Sequence, residues 1–179
     1  MSAVAAGAAG FETARLRARR ISEPDVDAML AVYGNPEVVR FVGDGVPLDR
    51  AGCQRWVEVT LENYRRRGYG MLALESRTDG SVVGFCGLVH PHGQAEAEIE
   101  YAFLRCRWGL GYASEAAPAL LAWGAAVHGL RRVIATVDPA HEASQRVLSR
   151  AGMSRGAVRA NDDGSFTQVF VWEAAAPTG

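Results

Sequence analysis

Three short stretches carry residue types at spacings that could do chemistry. The first is Glu96-Ala97-Glu98-Ile99-Glu100-Tyr101. In an extended strand successive side chains alternate in direction. Glu96, Glu98 and Glu100 then share one face, and Ala97, Ile99 and Tyr101 the other. Carboxylates so close raise one another's pKa, more so when partly buried, and one can become a base near neutral pH. Glu96 reads as an ordinary solvated strand residue. The second stretch is Trp108-Gly109-Leu110-Gly111-Tyr112-Ala113-Ser114-Glu115. Its glycines allow a tight turn and a close approach of backbone to a ligand. A helix starting there would point free N–H groups into the turn, a nest suited to phosphate or pyrophosphate. A plain strand-to-helix turn has the same composition. No Gly-Lys-Ser/Thr follows, so it is not a P-loop, and Ser114 stands where a dinucleotide fingerprint needs its third glycine. The third stretch runs from Val137-Asp138-Pro139 through His141 and Ser144 to Gly152-Met153. His141 and Ser144 are three apart, on one face of a helix start. Ser144 bonding back to the backbone and His141 as a solvated N-cap substitute remain the alternative readings.

These stretches need elements to position them. Alternation from Glu12 to Arg19 predicts a first strand. Ser22-Glu23-Pro24-Asp25 predicts a capped helix to about Tyr33, broken by Gly34-Asn35-Pro36. Asp49 opens a second helix to about Arg67, ended by Gly68. Strands at 69–76 and 82–89 flank the Thr78-Asp79-Gly80-Ser81 turn, and 96–104 is the next strand. A long apolar helix follows from Ser114 to about Val127, then a buried strand over 132–137. A helix after Pro139 reaches about Ala151, and two last strands flank Asn161-Asp162-Asp163-Gly164. Hairpins first and a strand–helix–strand unit in the middle predict an α+β, three-layer domain. Its mixed, mostly antiparallel sheet has about seven strands, with helices on both faces. Trp56, Tyr64 and Trp123 sit at helical spacing, which predicts core before an acceptor cleft.

Composition narrows the function. The chain has 179 residues and a net charge of −1, with 49 % hydrophobic residues. That predicts one globular domain over residues 11–174 between tails at 1–10 and 175–179, with no broad attraction to nucleic acid. All 19 basic residues are Arg, which excludes any Schiff-base or P-loop lysine. Cys53, Cys86 and Cys106 show no C-x-x-C spacing and read as reduced thiols. His90-Pro91-His92-Gly93 reads as a loop, and no metal site is expected. No apolar run spans a membrane and no charged segment precedes the Ala/Gly-rich start, so a cytoplasmic location is expected.

Five motifs in order identify a resemblance. Glu12-Thr13-Ala14-Arg15-Leu16-Arg17-Ala18-Arg19 resembles the E-T-x-R-L-x-L-R opening of the RimJ/RimL-like branch of the GNAT N-acetyltransferases. Asn35-Pro36-Glu37-Val38-Val39-Arg40-Phe41 resembles its D-P-E-V-x-R-F. Glu98-Ile99-Glu100-Tyr101 resembles E-I-G-Y, and Trp108 to Ala116 resembles Y-W-G-x-G-Y-A-T/S-E-A. The segment from Val137 to Met153 resembles V-x-P-x-N-x-A-S-x-R-V-L-x-x-x-G-F. The resemblance covers about residues 11–174. It implies the GNAT fold, whose fourth and fifth strands splay at a bulge with pantetheine between them, and acetyl-CoA as co-substrate. The cofactor-binding set so implied is Phe103, Leu104, Arg105, Trp108, Gly109, Leu110, Gly111, Tyr112, Ala113, Ser114, His141 and Ser144, with backbone N–H groups from Gly109 to Ser114 on the pyrophosphate. It implies direct transfer to an amine without an acyl-enzyme. Glu98 or Glu100 would be the base, directly or through a water, and Ser144 the acid for the departing thiolate. The tyrosine many GNATs use for that role is Leu148 here, as in the branch.

Three departures stand out. Glu100 replaces the branch's glycine, His141 stands where the family has an Asn on the CoA arm, and Arg105 replaces a common proline. The branch implies the α-amine of a protein or peptide as acceptor, and fold-mates also modify small amines. An acidic cleft would favour a cationic amine. The family often dimerises, so a homodimer is among the implied partners. A non-catalytic acyl-CoA-binding module, motivated by His141, and transfer of another acyl group are the alternatives.

Overall fold

In the computed structural model the described residues are 6, 7 and 9–175. Most of the two predicted tails, residues 1–5, 8 and 176–179, lies outside them. The elements are β1 (Ala6–Gly7), β2 (Gly10–Glu12), β3 (Leu16–Arg20), α1 (Val26–Tyr33), α2 (Pro36–Val39), α3 (Arg50–Arg67), β4 (Met71–Ser76), β5 (Val82–Val89), β6 (Ala97–Phe103), α4 (Tyr112–His128), β7 (Arg132–Val137), α5 (Glu142–Arg150), β8 (Ser154–Ala160) and β9 (Phe166–Glu173). Single 3-10 turns lie at Glu23–Asp25, Pro91–Gly93 and Arg105–Arg107.

The strands form one sheet in the order β1-β2-β3-β4-β5-β6-β7-β9-β8. Every neighbouring pair is antiparallel except β6 with β7. Among the described residues the sheet therefore has nine strands rather than about seven. The single predicted first strand is really a hairpin. Thr13 N–H reaches the Leu16 carbonyl at 2.9 Å and Leu16 N–H the Thr13 hydroxyl at 3.1 Å, folding the chain between β2 and β3. Alternation continues through this turn, so sequence periodicity does not reveal it. β1 pairs Ala6 with Phe11, so the sheet begins inside the segment read as a tail. A second departure is α2: Asn35 Oδ1 caps it by accepting from Glu37 N–H at 2.9 Å, so the predicted helix break starts a new turn.

Helices cover both faces. One core joins α1, α2 and α3 to the sheet through Met29, Val32, Tyr33, Val57, Met71 and Phe85. The other packs α4 and α5 against the opposite face through Leu88, Ile99, Leu120, Trp123 and Leu148. Tyr64 and Trp123 are buried as core residues, and Trp56 packs on Tyr33 with ring centroids 5.1 Å apart. No helix among the described residues is long and apolar enough to cross a membrane.

The feature that positions the site is the junction of β6 and β7. Their parallel ladder lasts two positions, Ala97↔Val133 and Glu98↔Ile134. Beyond it β6 continues to Phe103 and β7 to Val137 without pairing to each other. Opening two central strands leaves polar backbone edges facing a gap, which a fold tolerates only where something else satisfies them. The expected bulge is absent: the β5–β6 register runs without a shift from Gly84↔Phe103 to Val89↔Glu98. The splay therefore comes from the β7 side of β6.

Candidate active site

A cleft of about 570 Å³ opens at this splay, lined by β6, the end of β7, the start of α5, the Arg40–Gly45 loop and the β8–β9 turn. Glu98 stands where the strands part. It is buried. Its Oε1 accepts from the Thr136 backbone N–H at 3.2 Å and from the Thr136 hydroxyl, and its Oε2 accepts from Gln94 Nε2 at 3.1 Å. Thr136 lies on β7, two residues past the ladder. The carboxylate thus receives the N–H that a continuing ladder would have given to a β6 carbonyl. Glu98 joins the strands by its side chain where their backbones no longer meet.

Glu100 is two residues further along the same face. Among the described residues its carboxyl has no hydrogen-bond partner. Burial, with the Glu98 carboxylate as a second cause, pushes its pKa up to about 7. A carboxyl that desolvation keeps half-protonated near neutrality, with its oxygens free, is suited to accept a proton. The two neighbouring carboxylates thus have unlike roles. One is bonded on both oxygens, while the other is unbonded and titrates in the working range. Glu96 lies outside both roles, paired to Arg132 at 2.7 Å.

The opposite face of β6 supplies hydroxyls. Tyr101 and Ser144 of α5 hydrogen-bond at 2.8 Å. Burial pushes the Tyr101 phenol up to about 12, against a smaller lowering by Ser144. The phenol therefore stays protonated at neutral pH. His141 precedes α5, its N–H bonded to the Asp138 carbonyl at 2.8 Å. Its ring stacks on Phe41 with centroids 4.5 Å apart. Burial outweighs Asp138 and lowers its pKa below the usual histidine value.

The chain runs from β6 in the cleft, through Arg105–Arg107, to the turn before α4. Gly109 and Gly111 have φ of +74° and +80°, conformations that L side chains rarely adopt. Among the described residues the first backbone N–H of this helix with an acceptor is that of Glu115, on the Gly111 carbonyl at 3.1 Å. The N–H groups of Gly111, Tyr112, Ala113 and Ser114 are therefore free to receive an anion.

A family model described as acetyltransferase (GNAT) domain matches residues 15–154. This chain belongs to the GNAT acetyltransferase family. The uncharacterized N-acetyltransferase YoaA of Bacillus subtilis (strain 168) is 29% identical over 152 residues, 83% of this chain and 84% of its own. An acetyltransferase from Agrobacterium tumefaciens str. C58 superposes with a TM-score of 0.77 at 25% identity, over 92% of this chain and 94% of that one. RimL, a ribosomal L7/L12 alpha-N-protein acetyltransferase solved in complex with coenzyme A, shares the fold. Its TM-score is 0.75 at 18% identity, over 90% of this chain and 95% of that one.

Within this GNAT enzyme Glu98, Glu100, His141 and Ser144 all line one cleft. The Trp108–Ser114 turn lies beyond it. The expected backbone contacts at Phe103, Leu104 and Arg105 fall at and just beyond the end of β6. The unpaired β6 edge runs over residues 99–103, so of the three only Phe103 lies on it. Its carbonyl accepts from the Trp108 indole at 3.0 Å. Leu104 N–H is bonded to the Val83 carbonyl at 2.9 Å and the Leu104 carbonyl to Arg107 N–H at 2.8 Å. Arg105 pairs with Glu37 at 2.7 Å and lies over the Trp108 ring, 4.6 Å from its centroid. Among the residues not singled out as site residues, Tyr101 carried a signal, since alternation places it across β6 from the glutamates. Thr136, Gln94 and Phe41 carried none, because only the tertiary fold brings them to the cleft.

Proposed function

We propose that this enzyme moves the acetyl group of acetyl-CoA directly onto a primary amine, with Glu100 as base and the Ser144–Tyr101 pair as proton donor. The observation that carries this is the splay itself. It places a free carboxyl on one face of β6 and a hydroxyl pair on the other, with unpaired strand edge between them and free N–H groups beyond. A thioester arm with a diphosphate at its far end fits that order of groups. RimL, with the same fold, is a coenzyme A complex.

Acetyl-CoA supplies an activated acyl carbon. The chain supplies the proton handling. Glu100 takes a proton from the ammonium, directly or through one water, and frees the nitrogen lone pair. The N–C bond forms and the C–S bond breaks. The departing sulfur takes a proton from Ser144, which stays hydrogen-bonded to Tyr101; the second proton, shed by nitrogen as the amide forms, returns through water to Ser144, and Glu100 releases its own proton to solvent. Splitting acid and base between two faces of one strand keeps them from neutralising each other. No acyl-enzyme is needed, and the buried Cys86 is on β5 rather than in the cleft.

The acceptor is a cationic amine. Asp44, Glu98, Glu100 and Asp138 line the cleft against Arg40 as the one fixed cation among its lining residues. Such a field concentrates ammonium groups. The RimJ/RimL-like motifs favour the α-amine of a peptide over a small amine. The test is incubation of the pure protein with acetyl-CoA and a pool of free-N-terminus peptides, amino acids, polyamines and amine antibiotics, followed by mass spectrometry. The expected result is one acetyl gained by a cationic acceptor, with peptides ahead of small amines. Intact acetyl-CoA with no acetylated acceptor would overturn the reading.

A further inference from the structure

The β2–β3 turn meets the start of α4, far away in the sequence. Arg15 at its tip makes four kinds of contact there. Its Nη1 donates to the Leu110 carbonyl at 2.8 Å. Its Nε and backbone N–H donate to the Glu115 carboxylate at 2.6 and 2.8 Å. Its guanidinium lies over Tyr112, 4.7 Å from the ring centroid. Its Nη2 is 3.5 Å from where a side chain on Gly111 would begin. Thr13 from the same turn donates to Glu115 at 2.6 Å.

The contact to Leu110 governs an N–H that the turn needs. The C=O and N–H of a trans peptide point in opposite directions. Anchoring the Leu110 carbonyl on Arg15 therefore sends the Gly111 N–H to the other side. This peptide is flanked on one side by Gly111, whose backbone opposes rotation less than that of any other residue. The contact to Glu115 answers a second problem. An uncompensated carboxylate in the first turn of α4 would repel an anion at that helix start. Burial alone would raise the Glu115 pKa, but Thr13 and Arg15 hold it below the usual carboxylate range. The carboxylate stays charged and needs the guanidinium beside it.

We infer that Arg15 is a positioning residue for the diphosphate of the acyl donor: it orients the Leu110–Gly111 peptide and neutralises Glu115, so that the turn accepts an anion. This rests on the acetyl-CoA reading above. It reaches beyond that reading because Arg15 lies on a different hairpin, outside the cleft.

The test compares two acyl donors on wild type and Arg15→Gln: acetyl-CoA, and S-acetylpantetheine, which ends before the diphosphate. The expected result is a tenfold or larger fall in kcat/KM for acetyl-CoA, carried by KM. S-acetylpantetheine should change less than twofold, so that wild type loses its preference for the longer donor. Arg15→Lys keeps the charge but cannot reach Leu110 and Glu115 together. It should lie between the two, which keeps the inference testable if Arg15→Gln folds poorly. Equal losses for both donors, in either variant, would show a general structural role and overturn the inference. So would an unchanged acetyl-CoA KM. A wild type that uses neither donor would instead overturn the donor reading itself.

Discussion

The cleft and the turn before α4 are built differently. The turn, where the diphosphate of the proposed donor would sit, is tied by charged contacts to the β2–β3 hairpin, and its N–H groups are left free by helix geometry. The cleft takes part of its lining from the Arg40–Gly45 loop and the tip of the β8–β9 turn, with Phe166 exposed. The turn has a few fixed contacts whose loss has a definite cost. The loop-borne lining of the cleft is where specificity for the proposed acceptor can vary without disturbing the fold. Glu98 and Glu100 repeat this contrast at the centre. The bonded carboxylate holds the strands, and the free one is the base of the proposed reaction.

Substituting each carboxylate is the strongest way to break that comparison. Glu100→Gln should lower kcat by about 10²–10⁴-fold, the usual cost of removing a general base. KM for acetyl-CoA should hold. Glu98→Gln should act first on stability. A buried acceptor that loses charge and one good bond costs about 1–3 kcal/mol, read as a melting shift of roughly 2–4 °C per kcal/mol at this chain length. An unchanged melting temperature for Glu98→Gln would sink the bracing role.

The hydroxyl pair gives a smaller effect. Ser144→Ala and Tyr101→Phe should each slow turnover by about tenfold or less, well under the base, since the partner hydroxyl stays in reach. The double variant should cost less than the product of the two, because both remove the same bond. Full multiplicativity would mean that the hydroxyls act separately.

A subtler effect concerns stability and pH. The folded-state pKa of Glu100, about 7, lies above its ordinary value. The folded state thus favours the protonated form, and its stabilisation is lost as pH rises through about 7. Glu100→Gln should therefore gain in melting temperature relative to wild type at pH 8 compared with pH 5. A constant difference would contradict that environment. The smallest effect is expected for His141→Asn. Burial keeps His141 neutral at pH 7, so the change removes a stacking contact with Phe41 worth about 0.5–1.5 kcal/mol. Acetyl-CoA KM should shift by less than about tenfold.

Much of this was legible in the sequence, for identifiable reasons. The helices α3, α4 and α5 announce themselves by caps and periodicity, and the order of elements follows from them. That Glu98 and Glu100 share a strand face and that Ser144 lies in the first turn of a helix was legible, because strand alternation and helix spacing reach a few residues. Two things were not. The hairpin at Thr13–Leu16 hides inside an unbroken alternation, so two strands read as one. The separate duties of Glu98 and Glu100 depend on Thr136 and Gln94, whose placement is tertiary. Tyr101 stands between these cases: its face was predictable, while its hydrogen bond to Ser144 needed the docking of α5.

The most direct test is the pH dependence of kcat for wild type, Glu98→Gln and Glu100→Gln with a saturating cationic amine. Wild type should rise through an apparent pKa near 7. Glu98→Gln should keep that rise at lower height, and Glu100→Gln should lose it. A profile in which Glu98→Gln loses the rise while Glu100→Gln keeps it would contradict the division of labour between the two carboxylates.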